Sequence, residues 1–364
     1  MNCIGRLLGY ILLTVNAVFA LALLLTAYSP HFDPQAHPVW SSIGLFFPVL
    51  LLVNLFFLLF WLLVYRRYAL FPLSVLLVSW SSIQTYCPMN WFRSSAPEDA
   101  IKILSYNVRA FGDMKPHTKE NPNEVLEYLR QSDADIICLQ EYIYGGKLKK
   151  KDIDYALREY PYRHYHSLSK GRNGLGVYSR YPILSATPIN YKSDHNGSIA
   201  YYIKVKDDTL VVMNNHLESN RIIRSDVEAY LEMVDAPNRQ NVSFGMKKLL
   251  TKMAEATVIR SKQADVLVAT VRKLDGKKLI VCGDFNDTPI SYTHHVLSRE
   301  LKDAFVETGN GLGVSYNRDR LYVRIDHILT DKNLKVYDCR VDDSIQASDH
   351  YPVWCSVSLD EERK

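Results

Sequence analysis

The segment Lys278-Leu279-Ile280-Val281-Cys282-Gly283-Asp284-Phe285-Asn286 combines a short apolar run with a polar end. A run of this length is typical of a buried strand, and Asp284 and Asn286, two residues apart, would lie on one face where the strand ends. Five more segments repeat this pattern: Ser105-Tyr106-Asn107-Val108, Leu139-Gln140-Glu141, Asn214-Asn215-His216-Leu217, Arg324-Ile325-Asp326-His327 and Ser348-Asp349-His350. The chain is therefore expected to place polar side chains at the ends of several strands.

These strand ends supply carboxylate, amide and imidazole groups, which suit a hard divalent cation and a polarised phosphate ester. Taken singly, each has a plainer explanation. Asp284 and Asn286 could be turn residues after a strand, Glu141 an exposed strand end, and Asp349-His350 a surface turn before Pro352. The presence of the whole set in one chain favours a functional site over a series of independent turns.

The first 93 residues are strongly apolar and predict a membrane anchor. Helices over Leu7 to Tyr28 and Ile43 to Val64 are long enough to cross ~30 Å of hydrocarbon. A third span over Ala69 to Tyr86 is predicted, although serines interrupt it, and a re-entrant or interfacial helix is the alternative. A cleavable signal peptide is the alternative for the first stretch.

The positive charges near these spans predict their orientation. Arg6 precedes the first span, Arg66 and Arg67 lie between the second and third, and residues 29–40 contain no Lys or Arg. Positive residues favour the cytoplasmic side, so three spans place the rest of the chain outside the cytoplasm, whereas two would leave it inside. We expect an integral membrane protein with the lipid bilayer as a partner.

Residues 94–100 read as a linker, and residues 101–364 as one domain. Of the 43 basic and 39 acidic residues, four basic and one acidic precede Ser94, so the remainder holds 39 against 38 and lacks the basic excess of a general nucleic-acid binder. Many strand candidates and fewer helices predict two facing sheets with helices outside. A helical region between Leu217 and Gly276 divides into Asp226–Met233 and Phe244–Arg272.

The cysteines do not decide the compartment. Cys138 and Cys282 lie in apolar runs, where free thiols behave as small core residues. Cys339 and Cys355 lie in two late strand candidates, and both a bridge and two reduced thiols are compatible with the sequence.

Residues 101–359 resemble the endonuclease/exonuclease/phosphatase superfamily of DNase I-like phosphoesterases. The motifs that carry the resemblance occur in the family's order: Ile103 to Gly112, Leu139-Gln140-Glu141, Gly174 to Ile183, Asn215-His216-Leu217, Gly283-Asp284-Phe285-Asn286, Arg324-Ile325-Asp326-His327 and Ser348 to Val353. The resemblance implies an α/β fold, a four-layer sandwich of two facing mixed sheets flanked by helices, here preceded by about three transmembrane helices.

The resemblance also implies roles for the strand-end residues. Glu141 is the expected direct ligand of Mg²⁺, with Mn²⁺ as an alternative metal, and Asn107 and Asp349 are expected to hold the metal beside it through oxygen atoms or metal-bound water. Asp326 and His350 match the family's carboxylate–imidazole pair, and His350 is assigned as the general base. Asp284 and Asn286 are expected to orient water and phosphate.

One position departs from the family pattern. His216 matches a second family histidine that binds phosphate or protonates the leaving group, and nuclease members pair it with a Glu before the central hairpin. Here that region reads Lys170-Gly171-Arg172-Asn173 and contains no carboxylate. Asn173 or a metal-bound water is the expected substitute, so Asn286, His216 and Asn173 are the predicted substrate-binding residues.

The expected activity is hydrolysis of a phosphodiester or phosphomonoester by a membrane-anchored, metal-dependent enzyme. The substrate is open between a lipid headgroup, a small molecule and nucleic acid, because specificity in this family lies in loops around a common core. Two other functions compete with this one: an extracytoplasmic nuclease acting on DNA or RNA, and a non-catalytic membrane-bound binding domain.

Overall fold

The computed structural model describes residues 3–92, 94–171, 173–221, 224–318 and 320–359, with side chains for all of these except residues 3–6 and Lys170. The side chain of Arg6, all of Arg93 and Arg172, and residues 360–364 therefore lie outside the described residues. The helices are α1 (Cys3–Tyr28), α2 (Pro38–Ser42), α3 (Phe47–Val64), α4 (Arg66–Val78), α5 (Trp80–Tyr86), α6 (Arg109–Met114), α7 (Glu124–Gln131), α8 (Lys150–Ala156), α9 (Arg224–Asp235), α10 (Arg239–Lys273), α11 (Tyr292–Glu300) and α12 (Ala304–Thr308). The strands are β1 (Ile101–Asn107), β2 (Ile136–Gln140), β3 (Tyr162–Leu168), β4 (Asn173–Ser179), β5 (Ile183–Ile189), β6 (Gly197–Val205), β7 (Asp208–His216), β8 (Lys278–Asp284), β9 (Lys302–Asp303), β10 (Tyr316–Arg318), β11 (Leu321–Val323), β12 (Asp326–Thr330), β13 (Lys335–Val341) and β14 (Val353–Ser358).

The strands form two six-stranded sheets and one small hairpin. One sheet has the order β13-β14-β1-β2-β4-β3, the other β5-β6-β7-β8-β12-β9, and β10 pairs with β11. Both large sheets are mixed, because β1 runs parallel to β2 and β7 parallel to β8 while the other pairs are antiparallel.

The two sheets face each other across a continuous apolar core. Ile103 and Val177 from the first sheet pack there with Val212 and Ile280 from the second. A second core joins the outer face of the first sheet to α7 and α8, and a third joins the second sheet to α10 and α11. The prediction of two facing mixed sheets flanked by helices is therefore confirmed.

Two N-terminal segments, Leu7–His31 and Pro38–Val64, are long and apolar enough to cross a membrane. Only 22% of each apolar window is buried, so most of these two surfaces carries exposed aliphatic and aromatic side chains. The end of α1 at Tyr28 and the end of α3 at Val64 agree with the predicted spans.

The third predicted span is not one continuous helix. The chain leaves helical geometry at Ser79, which separates α4 from α5, and Pro72 lies inside α4. The two pieces nevertheless return the chain along α3, since Tyr86 at the end of α5 has its ring 5.7 Å from that of Phe47 at the start of α3. The serines that weakened the apolar pattern coincide with this break.

The helices between β7 and β8 follow the predicted division. Asn238 caps α10 by accepting hydrogen bonds from the backbone N–H groups of Gln240 and Asn241. The C-terminal part of α10 lies on the second sheet through Leu267 and Val271. The N-terminal half of α10 packs against α9 and α2 instead.

The N-terminal helices pack on the two-sheet domain near one edge of its sheets. Ile290 joins the apolar cluster that contains Leu23, Phe47 and Tyr86. The buried Arg324 donates to the carbonyl oxygen of Thr85 over 2.5 Å.

Cys339 and Cys355, whose pairing the sequence left open, are both free thiols.

Candidate active site

The predicted site residues meet at one edge of the sandwich, where several strands end or begin together. In the first sheet Asn107 is in register with Gln140. In the second, Asp284 is in register with both His216 and Asp326. The alignment follows from parallel pairing of β1 with β2 and of β7 with β8, which brings their carboxyl ends to the same edge.

The carboxylate of Asp284 is the centre of the cluster. Its Oδ2 accepts a hydrogen bond from Asn107 Nδ2 over 3.0 Å and lies 3.6 Å from His216 Nε2 and 3.7 Å from His350 Nε2. The Asn107 contact crosses from one sheet to the other. Asp284 and both histidines are at least nine-tenths buried, so their separations are set by packing.

Gly283 allows this close arrangement. Its φ is +132°, and a Cβ at this position would lie 2.0 Å from the carbonyl oxygen of Asn215. Only glycine fits there without moving β7 away from β8. The glycine before Asp284 in the sequence was the signal for this constraint.

His350 and Asp326 form the predicted pair. His350 Nδ1 lies 2.8 Å from Asp326 Oδ2, and Ser315 Oγ accepts hydrogen bonds from the backbone N–H groups of Ile325 and Asp326. Tyr316 packs edge-on against the imidazole of His350, with 5.1 Å between ring centroids. Ser315 and Tyr316 were not predicted, because neither belongs to an apolar run with a polar end.

The surrounding carboxylates control the charge of His350. Burial opposes a positive imidazole, but Asp326 and Asp284 outweigh it and raise the pKa of His350 to about 10. Burial also raises the pKa of Asp326, an effect that His350 opposes and the charge of Asp284 reinforces. In this state His350 carries a proton at neutral pH, which suits contact with anionic oxygens.

Glu141 follows β2 in a strained conformation. Its φ of +50° is in the left-handed region, which is uncommon for a residue with a side chain. The side chain is 34% exposed, and Oε1 lies 3.3 Å from Asn107 Nδ2 and 4.0 Å from His216 Nε2. Strain of this kind persists where the surrounding structure holds it, often at functional sites.

Asn173 contacts His216, as its position at the start of β4 allows. Its Nδ2 lies 3.3 Å from His216 Nδ1 and donates to the carbonyl oxygen of His195 over 2.8 Å. This is the position expected to replace the family's carboxylate. An amide supports one orientation of the ring but adds no negative charge.

Asn286 and Asp349 complete the predicted set. Asn286 is held by two hydrogen bonds, from its backbone N–H to Asp284 Oδ1 and from Nδ2 to the carbonyl oxygen of Leu217. Asp349 Oδ2 lies 3.8 Å from Arg109 Nε and 3.5 Å from Arg318 Nη1. These arginines balance part of its charge.

A cavity of about 340 Å³ opens at this cluster. Six of the predicted residues line it: Glu141, His216, Asp284, Asn286, Asp349 and His350. Asn107, Asp326 and Asn173 lie behind them, each hydrogen bonded to a lining residue. A larger depression of about 790 Å³ beside α7 and α8 contains none of the nine.

The oxygen-rich side of the cavity fits a hard divalent cation. Glu141, Asp349 and Asp284 offer carboxylate oxygens, the kind of donor that Mg²⁺ prefers, and Asn107 lies behind them with its amide nitrogen towards Glu141 and Asp284. Ligand-type atoms of Asp284, Asp326 and His350 also lie within 4.8 Å of one another. The donor chemistry therefore agrees with a metal at this edge, with Glu141 as its most accessible carboxylate.

Of the two arginines just past His216, one reaches the cavity. Arg221 lines it, and its guanidinium is bound to the buried carboxylate of Glu218, with Nη2 2.5 Å from Oε1. Arg224 has a 94% exposed side chain and pairs with Glu228 on the surface of α9.

A second histidine–carboxylate cluster is sealed inside the domain. His294 Nε2 lies 2.7 Å from Asp303 Oδ2, and His327 Nδ1 lies 3.9 Å from the same oxygen. None of the three lines the cavity. His294 and His327 are both buried.

Known protein families match both the apolar N-terminal segment and the two-sheet domain that follows it. A family described as "Endonuclease/Exonuclease/phosphatase family" matches residues 104–350, and a family described only as a domain of unknown function matches residues 9–86. An exodeoxyribonuclease of Bacillus subtilis is 24% identical over 293 residues, covering 71% of this chain and 100% of that protein. The CCR4-Not complex 3'-5'-exoribonuclease subunit of Aspergillus niger is 24% identical over 248 residues, covering 56% of this chain and 37% of that protein.

Solved structures support the same fold. An endonuclease/exonuclease/phosphatase from Bacteroides vulgatus has a TM-score of 0.51 at 16% identity, covering 72% of this chain and 99% of its own. The catalytic domain of human Nocturnin with a bound sulfate anion has a TM-score of 0.50 at 16% identity, covering 73% of this chain and 97% of its own. At such low identity the likeness concerns the fold alone.

Proposed function

Because the chain belongs to the endonuclease/exonuclease/phosphatase family, we propose that it is a membrane-anchored, divalent-metal-dependent phosphoesterase. It hydrolyses a phosphodiester or phosphomonoester by attack of water on phosphorus. The observation that carries the proposal is the position of Asp284 Oδ2, within 3.7 Å of side chains from three separate parts of the chain: Asn107, His216 and His350.

Each residue near the phosphate has a role that its contacts support. His350, fixed by Asp326, is the predicted general base, and its raised pKa means that this role requires the neighbouring carboxylate charge to be neutralised. With its proton in place, the imidazole instead stabilises the phosphoryl oxygens. Asp284 orients the attacking water.

His216 and Asn286 bind the phosphate from the other side. His216 is the predicted proton donor to the leaving oxygen, and Asn173 holds its ring. Because Asn173 is neutral, His216 lacks the adjacent carboxylate that stabilises an imidazolium in the nuclease members. We therefore expect His216 to act mainly as a hydrogen-bond donor to the phosphoryl group.

Mg²⁺ is the proposed cofactor, held by Glu141 with Asn107 and Asp349 beside it, and Mn²⁺ is an alternative. A bound cation would neutralise charge on the phosphoryl oxygens and on the surrounding carboxylates. The support for it is the set of oxygen donors around the cavity.

The apolar N-terminal helices support membrane anchoring. Outward-facing Val18, Leu21, Leu52, Phe56 and Leu63 are all more than half exposed, a pattern suited to lipid contact. The packing of Tyr86 against Phe47 places the catalytic domain at the opposite end of α3 from Arg66 and Arg67. With these arginines cytoplasmic, the domain is extracytoplasmic.

A reporter fusion tests this side assignment. Alkaline phosphatase fused after Ser95 is expected to be active, because it folds only outside the cytoplasm. An inactive phosphatase at that junction, with a normal amount of fusion protein, would remove the extracytoplasmic assignment.

Nucleic acid is the second candidate substrate, because the B. subtilis and A. niger relatives are an exodeoxyribonuclease and an exoribonuclease. The near-neutral charge after Ser94 argues against a long polyanion. Cleavage of plasmid DNA or an RNA oligonucleotide distinguishes this candidate from a small or lipid substrate.

The deciding experiment is hydrolysis of bis-p-nitrophenyl phosphate, DNA and phospholipids by the full chain with Mg²⁺ or Mn²⁺. Asp284→Asn should abolish turnover, whereas Asp207→Asn, in the exposed turn at the far end of β6 and β7, should have no effect. If every substrate stays intact, the enzyme proposal fails and a non-catalytic binding domain is the better explanation.

A further inference from the structure

The cavity at the candidate active site is lined by apolar as well as charged side chains. Besides the carboxylates and histidines, its lining includes Leu45, Val227, Leu249, Met253, Leu321 and Val323, called here the apolar wall. These residues come from four places in the fold: the segment before α3, helix α9, helix α10 and the β10–β11 hairpin. All but Met253 are partly exposed, so their side chains can contact a ligand.

Leu45 connects this wall to the candidate membrane spans. It lies two residues before Phe47, where α3 begins. Its neighbour Gly44 packs so closely on the loop after β8 that a Cβ there would lie 2.0 Å from the carbonyl oxygen of Ile290. Ser42 Oγ also lies 3.3 Å from Thr257 Oγ1 of α10. The start of α3 is thus held directly against the loop that follows Asp284.

Aromatic residues indicate that a bilayer surface would lie near the cavity. Trp40, five residues before Leu45, is 49% exposed, and Trp91, just after α5, is 79% exposed. Both lie at the end of the helices that packs on the catalytic domain, as does Tyr28, which is 57% exposed. Tryptophan and tyrosine concentrate at membrane–water interfaces. The cavity mouth is therefore close to the depth at which lipid headgroups lie.

A soluble small phosphoester gives no reason for an apolar wall beside the phosphate site. A long nucleic acid requires cationic surface, but Arg221 at the cavity is already bound to Glu218. An amphiphile satisfies both sides of the cavity, because its phosphate can bind among the polar residues while its chain contacts the apolar wall.

Accepting the proposed phosphoesterase function, on which this inference rests, we propose that the substrate is a membrane lipid phosphoester. Its phosphate lies at Asp284, His216 and His350, and its hydrocarbon chain follows the apolar wall past Leu45 towards the bilayer. Water forms one new P–O bond, one P–O ester bond breaks, and the proton released by water ends on the leaving alcohol. The products are an alcohol and a phosphate that carries one fewer ester bond.

Inhibition by alkyl phosphates tests the apolar wall without knowledge of the headgroup. The full chain in nanodiscs hydrolyses bis-p-nitrophenyl phosphate in the presence of ethyl, butyl or hexyl phosphate, all used as monomers. Each added methylene that reaches the wall should lower the inhibition constant about fourfold, so hexyl phosphate should inhibit at least tenfold more strongly than ethyl phosphate.

Substitutions in the apolar wall test whether the alkyl chain of the inhibitor binds there. Leu45→Ser and Leu249→Ser should each reduce the hexyl-to-ethyl ratio of inhibition constants to roughly a third or less of its native value. Val234→Ser is the matched control, since Val234 is an exposed aliphatic residue of α9 outside the cavity. A ratio that does not depend on Leu45 and Leu249 overturns the inference.

A lipid panel completes the test. Vesicles of phosphatidylcholine containing phosphatidylglycerol, phosphatidylethanolamine, phosphatidylinositol, sphingomyelin, phosphatidic acid or a polyprenyl phosphate are scored for product, with single-stranded DNA beside them. Turnover of one lipid that falls in Leu45→Ser supports the inference. Cleavage of bis-p-nitrophenyl phosphate or DNA with every lipid intact overturns it and leaves the phosphoesterase proposal standing. No turnover of any substrate defeats both.

Discussion

Among the residues that the structure describes, two buried histidine–carboxylate clusters occur, and their closest contacts are nearly identical. His350 Nδ1 is 2.8 Å from Asp326 Oδ2, and His294 Nε2 is 2.7 Å from Asp303 Oδ2. The first, with Asp284, borders a cavity and is called the open cluster; the second, with His327, does not and is called the sealed cluster. Distance between a histidine and a carboxylate therefore does not identify a catalytic site.

The difference lies in the charges around each pair. In the open cluster a second carboxylate, Asp284, adds negative charge and the histidine pKa rises to about 10. In the sealed cluster burial lowers the pKa of His327 to about 3, and His294 and Arg324 outweigh burial to hold the pKa of Asp303 below its usual value. The open cluster has an unbalanced negative charge that a cation can neutralise, whereas the carboxylate of the sealed cluster already has His294 and Arg324 beside it.

The largest expected effect is a difference in kcat between a variant of the open cluster and a variant of the sealed cluster. His350→Ala should lower kcat by about 10²- to 10⁴-fold, because it removes the proposed proton-transfer group. His294→Ala should leave the kcat of the folded molecules unchanged. Initial rates with bis-p-nitrophenyl phosphate, normalised to the folded fraction, measure both. Equal losses of kcat in the two variants would mean that the two clusters do not differ in their contribution to activity.

The free energy of unfolding should depend on the sealed cluster, in contrast to activity, which should depend on the open cluster. Asp303→Asn should lower the free energy of unfolding by about 3 kcal/mol, because it leaves the buried His294 and Arg324 without their carboxylate. Chemical denaturation of the full chain provides the measurement, with Asp207→Asn as the exposed control. A change no larger than that of the control would show that the sealed cluster does not stabilise the fold.

Metal binding should occur in the cavity beside the open cluster, at Glu141. Mg²⁺ at a hundred times its dissociation constant should stabilise the native protein by about 2.7 kcal/mol, seen as a rise in Tm. Glu141→Gln should remove the rise, whereas Glu120→Gln in an exposed loop should keep it. Persistence of the rise in Glu141→Gln would place the cation elsewhere.

The smallest expected effect is the pH dependence from the sealed cluster. The unfolded chain binds a proton at His327 near pH 6.5 and the folded chain near pH 3, so stability falls as the pH is lowered through this interval. The fall in Tm between pH 7 and pH 5 should become smaller in His327→Gln, and His37→Gln, at an exposed position, should not change it. If the fall in Tm is unchanged in His327→Gln, titratable groups other than His327 cause it.

Most of the candidate active site could be predicted from the sequence because its residues follow or precede apolar runs. Asn107, His216 and Asp284 mark the ends of β1, β7 and β8, and strand pairing alone brings such ends together. The division of the helical region at Pro237 was readable for a similar reason, since proline and Asn238 end one helix and begin the next.

The sealed cluster and the apolar wall were not predictable in this way. Asp303 ends a strand of only two residues, which has no apolar periodicity to mark it. Leu45 reaches the cavity because its neighbour Gly44 packs against Ile290, more than 200 residues away in the chain, and no local pattern encodes that contact. The break in the third predicted span depends on backbone geometry at Ser79 that composition only suggested.

The convergence of distant strand ends into one catalytic unit is tested most directly by a double-mutant cycle. The value of kcat/KM for bis-p-nitrophenyl phosphate would be measured for Glu141→Gln, His350→Gln and the double variant, each with saturating Mg²⁺. Residues that act as a unit give non-additive losses, so the double variant should be about as slow as the slower single variant. Losses that multiply, or either single variant at the native rate, would contradict a shared site.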